Sequence, residues 1–366
     1  MGRGSLRLLE PEVQEPGARS QEPGARSQEP RAGAEGREAR SRSPALGYRE
    51  ARSRGPVLGH GEARSPGPRS RTPGRQIPET GVRDTGGMES VQADAYLRRI
   101  GAERPALPTA DTLRELQLRH LLSVPFENLS IHLGEEILLE EKRLLDKLVG
   151  ARRGGFCYEL NGAFGALLAE LGFEVMLLAA RVYAEEGRLG IPFDHLALRV
   201  GTSDGGDWLV DVGFGANSHY PLAFGERDEQ VDPGGTFRLV EAGADPAGVR
   251  GGAVGSGDLA LDLDVLRDGA PQYRLELRPR VLEDCVSGAW WHSTSPVSHF
   301  TRSLVCSRLT DDGGRTTLSG RKLTITAADG TKVGSDLATD EEVLEVYRER
   351  FGIVLERVPA VGRADS

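Results

Sequence analysis

Arg153-Gly154-Gly155-Phe156-Cys157-Tyr158-Glu159-Leu160-Asn161 places a cysteine where a Gly-Gly bend runs into a helical segment. The residues that follow, Ala163 to Leu171, are amphipathic and read as a helix, so Cys157 is expected at a helix N-terminus. Unpaired backbone N–H groups and the positive end of the helix dipole there favour thiolate over thiol, and the thiolate is the nucleophile. Downstream, Asp194-His195 lies in an apolar, strand-like run from Phe193 to Val200. Asp211 lies in a second such run, Trp208 to Phe214. Cysteine, a histidine base and a carboxylate that orients the base are the parts of an activated thiol nucleophile. Each residue taken singly has an ordinary reading: a small core thiol, a satisfied strand histidine, a turn carboxylate. Together with the Gly-Gly bend and a glycine-rich loop after Asp211, they read as a catalytic triad of Cys157, His195 and Asp211.

Composition divides the 366-residue chain in two. Residues 1–87 are built from Gly, Pro, Arg, Ser, Glu and Ala, with almost no apolar clusters. Gln14 to Ser20 (QEPGARS) recurs as Gln21 to Ser27, and Glu50-Ala51-Arg52-Ser53 is echoed by Glu62-Ala63-Arg64-Ser65. Such a segment buries too little surface to offset its chain entropy, so 1–87 is expected to be a disordered low-complexity tail. Met88 falls where periodic, apolar sequence begins, which makes it the expected functional start and the tail a gene-model extension. The tail carries 16 arginines, no lysine and 11 acidic residues, which leaves a net charge of −14 on 88–366. An acidic globular part argues against nucleic acid as a partner. No run has the length of a spanning helix and no targeting signal is evident, so no membrane association is expected. Three cysteines at long spacings are not a disulfide framework, and a reduced, cytoplasmic setting follows. No metal-like spacing links His219, His292 and His299, so no metal site is expected.

Residues 89–151 have helical periodicity. From Phe173 the period shortens, and Val175–Val182, His195–Val200, Trp208–Val212, Phe237–Val240, Tyr273–Arg278, Leu304–Leu309, Thr316–Leu318 and Leu323–Thr326 read as strands. Thr339 caps a closing helix that runs to Phe351. Helices, then many short strands, then a helix predict an α+β fold with a helical N-terminal part and a barrel-like β centre. A hairpin at Gly201 to Gly206 would bring His195 beside Asp211. In Asp211-Val212-Gly213-Phe214-Gly215-Ala216-Asn217, glycines around an aromatic let backbone N–H groups face a ligand.

These residues carry a family resemblance. Arg153 to Asn161 (RGGFCYELN), Pro125-Phe126-Glu127-Asn128-Leu129, His195 before its apolar strand, Asp211 to Gly215 (DVGFG) and Ser293 to Phe300 (STSPVSHF) resemble the motifs of the arylamine N-acetyltransferases, in order and with comparable gaps. The resemblance covers 88–366. It implies an N-terminal helical bundle (88–172) with the cysteine, a central β-barrel (173–280) with His and Asp, and a C-terminal α/β lid (281–366). It implies acetyl-CoA as co-substrate, no permanently bound cofactor, and an arylamine or hydrazine acceptor, with ping-pong transfer through an acetyl-cysteine. Gly213, Phe214, Gly215 and Ala216 match the loop near the CoA pyrophosphate and pantetheine. Phe126 and Phe214 match aromatics of the acyl and acceptor cleft, which Phe193, just before His195, is expected to join.

Charge and position suggest that Arg153 and Glu127 pair to hold the bend before Cys157 and that Asn161 satisfies nearby backbone groups. Cys306 reads as strand core, Cys285 as incidental, and Trp290-Trp291 as packing between barrel and lid. The same triad order also serves amide synthases that release a polyketide chain from a carrier thioester, thiol hydrolases and transglutaminase-like enzymes. The intact loop after Asp211 favours the CoA-dependent reading. The sequence fixes no oligomeric state.

Overall fold

In the computed structural model, residues 88–184, 187–242 and 262–361 are described, and the tail expected over 1–87 lies outside them. Met88 is buried in the first hydrophobic core. Of the first five helices, α1 (Ser90–Ile100), α2 (Ala110–Ser123), α4 (Glu141–Leu145) and α5 (Cys157–Glu170) build that core, while the short α3 (Leu129–Leu133) packs elsewhere. α5 is its centre: Cys157 to Gly165, Leu167 and Leu168 are all buried, which explains a helix that is apolar nearly all round. Glu159 accepts the Phe156 N–H at 3.2 Å and closes the first turn, so the helix begins at the cysteine itself. It ends at Gly172, whose φ of +89° suits a residue without a Cβ.

The bundle is not purely helical. Phe126–Glu127 forms a short strand, β1, paired with β10 (Val305–Leu309). β10 continues antiparallel through β11 (Arg315–Ser319), β12 (Lys322–Thr326) and β13 (Lys332–Asp336). α8 (Asp340–Phe351), capped by Thr339 as expected, closes a third core against this sheet with Val343, Tyr347 and Phe351.

The larger sheet has eight antiparallel strands. β2 (Glu174–Val182) lies between β3 (His195–Gly201) and β9 (Ala270–Arg280). β4 (Asp207–Val210) and β5 (Leu222–Ala223) extend one side; β8 (Leu263–Arg267), β7 (Gly235–Glu241) and β6 (Gln230–Asp232) extend the other. The two edge strands are joined by a side chain: Gln230 Oε1 accepts the Ala223 N–H at 2.7 Å and Gln230 Nε2 donates to the Ala223 carbonyl at 3.1 Å. The expected barrel is therefore a sheet curled almost to closure. Alternation divides β3 between two cores, with Leu196, Leu198 and Val200 in the bundle core and Ala197 in the barrel core.

Two local expectations are corrected. The strand expected to reach Val212 stops at Val210, because the backbone beyond it turns to hydrogen-bond side chains of the site. Trp290, on α6 (Val286–Thr294), which is followed by the single turn α7 (His299–Arg302), does not pack inside; it is 66% exposed, while its helical neighbours Ala289 and His292 are buried.

Candidate active site

Three elements carry the residues expected to form the triad. Cys157 is the first residue of α5, His195 the first of β3, and Asp211 follows β4 directly. The antiparallel β3–β4 pair, with Gly201 opposite Asp207, brings the last two together as the hairpin predicted. His195 Nε2 lies 2.8 Å from Asp211 Oδ2, and both side chains are buried. Asp211 also accepts from Asn161 Nδ2 at 2.9 Å, from the Gly213 N–H at 2.9 Å and from Asn217 Nδ2 at 3.3 Å. Burial raises the Asp211 carboxyl, but the charge of His195 and these hydrogen bonds outweigh it and hold the group below the usual carboxylate range.

Asn161 is one turn along α5 from the cysteine and ties the three elements together. Its Nδ2 donates to the Leu196 carbonyl at 2.6 Å as well as to Asp211, and its Oδ1 accepts the Val212 N–H at 3.0 Å. The loop after Asp211 lies directly on Cys157. A Cβ at Gly213 would come within 2.7 Å of Cys157 Cα and of Asn161 Nδ2, so only glycine fits there. The Gly213 N–H is spent on Asp211, so it does not face a ligand. Gly215, at φ +89°, carries the chain past the Phe126 ring.

Burial pushes the Cys157 thiol well above its ordinary value; the Leu196 N–H acts against this, while Asp211, Cys285 and Asp194 add to it. The helix N-terminus, expected to favour thiolate, does not offset the desolvation of the sulfur anion. Cys285, expected to be incidental, is a buried neighbour of Cys157, and Cys306 is strand core as expected.

The bend before Cys157 rests on a buried ionic network. Arg153 Nε donates to Glu127 Oε1 at 3.0 Å, the pair expected from the sequence. Two further members were not anticipated: Lys147 Nζ lies 2.6 Å from Glu159 Oε1 and 4.0 Å from Glu127 Oε1. Glu159 was legible in principle as an acidic residue in the first turn of α5. Lys147 was not, because it arrives from a π-helical turn, Asp146–Gly150. Gly154 and Gly155 are required by this packing: a Cβ on Gly154 would strike the Pro125 carbonyl, and one on Gly155 would come within 2.7 Å of Glu159.

Aromatic rings surround the thiol–imidazole region. Phe214 and Tyr273 have ring centroids 5.2 and 5.1 Å from that of His195. Phe126 and Phe300 are 6.0 Å apart, and Phe300 packs edge-on against Phe156 at 5.8 Å. Tyr273 and Phe300 were missed as wall residues; Phe300 ends the Ser293–Phe300 motif, whereas Tyr273 is an ordinary strand residue in sequence. Phe193 has φ +57°, unusual for a bulky residue. Tyr158 donates its hydroxyl to the Phe193 carbonyl, and the Arg280 guanidinium lies 4.8 Å from the Phe193 ring centroid. Among the described residues, no group of His, Cys, Asp or Glu side chains is arranged to hold a metal ion.

A family model described as N-acetyltransferase matches residues 109–360. An arylamine N-acetyltransferase of Mycolicibacterium smegmatis is 36% identical over 267 residues, covering 71% of this chain and 91% of that protein. The chain belongs to the arylamine N-acetyltransferase family. A second relative, arylamine N-acetyltransferase of Escherichia coli (strain K12), is 33% identical over 259 residues, covering 70% of this chain and 87% of its own length. Among solved structures, the M. smegmatis arylamine N-acetyltransferase superposes with a TM-score of 0.62 at 34% identity, covering 76% of this chain and 97% of that one. The Mycobacterium marinum arylamine N-acetyltransferase in complex with CoA gives 0.61 at 32% identity, over 74% of this chain and 95% of that one. The family fold thus spans helices, curled sheet and C-terminal sheet alike. Among the described residues no helix is long and apolar enough to cross a membrane.

Proposed function

We propose that this arylamine N-acetyltransferase moves an acetyl group from acetyl-CoA to an arylamine or hydrazine through an acetyl-thioester on Cys157. The observation that carries the assignment is the convergence of Cys157, His195 and Asp211 through Asn161 and the Gly213 loop. With Nε2 of His195 engaged by Asp211, its Nδ1 is the nitrogen left for the thiol. Since burial disfavours the thiolate, His195 removes the thiol proton as the sulfur attacks the donor carbonyl. The tetrahedral intermediate collapses, the C–S bond to CoA breaks, and the CoA sulfur leaves with the proton from His195. In the second half the amine attacks the acetyl-cysteine, His195 accepts the amine proton, and the C–S bond to Cys157 breaks. The proton then returns to the cysteine sulfur. Asp211 stays ionised throughout and holds the ring and its positive charge. The Cys157 N–H, at the start of α5, is the donor we assign to the oxyanion.

Gly213, Phe214, Gly215 and Ala216 are assigned to the donor, and Phe126, Phe193 and Phe214 to the acceptor cleft, with Arg153, Glu127 and Asn161 positioning the nucleophile. The division into bundle 88–172, barrel 173–280 and lid 281–366 is the organisation we propose, with a reducing cytoplasmic setting that suits three free thiols. Mixing the protein with acetyl-CoA and no amine should add one acetyl group to the intact mass, on the Cys157 peptide, and adding an arylamine should discharge it. Cys157→Ala should accept no acetyl group; turnover by that variant would refute the nucleophile. A folded wild-type protein that takes no acetyl group would point instead to a carrier-bound thioester donor.

A further inference from the structure

α6 brings a second histidine close to the first. His292 Nε2 lies 3.0 Å from Asp194 Oδ1 and 3.1 Å from the Asp194 carbonyl, so this nitrogen donates to the residue that precedes His195. His292 is 6% exposed, and its Nδ1 is buried without a hydrogen-bond partner among the described residues. An apolar side chain would fill that position without the cost of burying an unpaired nitrogen. The ring is explained by what it holds.

Asp194 is a junction. β3 begins at His195, opposite Ala180 of β2, and just before it the chain departs from the ladder at Phe193, whose φ is +57°. The Asp194 carboxylate takes up an N–H that the interrupted ladder leaves: its Oδ2 accepts from Val182 at 3.1 Å. The Gly190 N–H donates to the Val182 carbonyl at 2.8 Å, and a Cβ on Gly190 would strike Asp194 Oδ2. On its other side the His292 ring packs against both residues that flank Cys157, with centroids 6.5 Å from Phe156 and 6.1 Å from Tyr158. The Tyr158 hydroxyl in turn donates to the Phe193 carbonyl, and a Cβ on Gly288 of α6 would strike that oxygen.

We propose that His292 is a positioning residue that sets the spacing of thiol and imidazole, packing on the neighbours of Cys157 with its ring and holding the start of the His195 strand through Asp194. The inference rests on the Cys157–His195 reading above and deepens it. Nucleophile and base arrive on separate segments, the first turn of α5 and the first residue of β3, and α6 touches both. A misplacement of about 1 Å between reacting groups can cost about a hundredfold in rate, so a residue that fixes two such segments acts on catalysis without touching substrate.

The test is a double-mutant cycle on the whole chain, read as the rate of iodoacetamide alkylation of the Cys157 peptide at pH 7. His292→Phe keeps the ring and removes the donor. It should slow alkylation by about fivefold or more, the scale of one hydrogen bond. Single-turnover acetylation of Cys157 at saturating acetyl-CoA should slow by a similar factor, with the half-saturating donor concentration unchanged. His292→Gln, whose amide can still donate to Asp194, should recover most of both rates. In a His195→Gln background the His292→Phe change should add little, because a residue that acts through the base has nothing left to position. Equal losses in both backgrounds would mean a general loosening of the fold and would overturn the proposal, as would a wild-type rate in folded His292→Phe. Should His292→Phe fail to fold, Asp194→Asn takes its place in the cycle and should show the same non-additivity. Unchanged alkylation in His195→Gln alone would refute the thiol–imidazole reading and this inference with it, whereas a loss there with none in His292→Phe would refute this inference only. If no acetyl group is taken from acetyl-CoA, the donor reading fails and the alkylation cycle still decides this one.

Discussion

Cys157 is a thiol whose surroundings work against its own ionisation, and the residue we propose answers this is His195. Burial, Asp211, Cys285 and Asp194 all disfavour the anion, with only the Leu196 N–H acting against them. In the proposed reaction His195, held by an Asp211 that accepts from four donors, takes the thiol proton as the sulfur attacks. His195→Gln should therefore slow alkylation of the Cys157 peptide at pH 7 by about tenfold or more. The remaining reaction should still be rising with pH above the ordinary thiol value of about 8.5, since a thiol whose value is raised gains most of its reactive charge only beyond it. Mass spectrometry of iodoacetamide-labelled peptides across pH measures this directly, and an unchanged rate would remove His195 from the pair. At this scale the sequence was most legible: the His195–Asp211 pair, the hydrogen-bonding role of Asn161 and the Arg153–Glu127 pair were all readable from type and spacing. Asn217 and Tyr273 were not, because a loop amide and a strand tyrosine acquire meaning only from what they face.

At the scale of elements, the decisive piece is the start of α5. A helix whose first residue is the proposed nucleophile needs its preceding bend fixed, and the buried Lys147–Glu159 and Arg153–Glu127 pairs hold it. Burial raises the Glu159 carboxyl, and Lys147 is the cation that offsets this. Lys147→Met should leave Glu159 buried and uncompensated, at a cost of about 3–5 kcal/mol in urea unfolding. Lys147→Met combined with Glu159→Met should recover much of that loss, because an apolar pair carries no desolvation penalty. A double variant no more stable than the single one would show that the network contributes through shape instead. The sequence predicted most strands of the two sheets, yet missed β1, β5, β6, β8 and β13. β1, β5 and β6 are two or three residues long, and β13 is exposed throughout, so neither length nor alternation announces them.

For the whole molecule, the proposed catalytic geometry depends on a curled sheet keeping His195 and the Asp211 loop against α5. The edges of that sheet meet through Gln230 rather than through a backbone ladder. Gln230→Ala should free the Ala223 N–H and carbonyl, cost about 1–3 kcal/mol and speed hydrogen exchange across β5 and β6. Exchange as slow as wild type at Ala223 would mean that the loop between the edges, with Asp232 accepting the His219 and Tyr220 N–H groups, closes the barrel alone.

The sequence by itself determined the family and the order of helical and β regions, because periodicity, glycine bends and motif chemistry are written in local spacing. Only the tertiary structure decided the state of the Cys157 thiol, the partners of Lys147, the side-chain closure of the barrel and the exposure of Trp290. Each of these depends on desolvation or on groups brought close from distant parts of the chain.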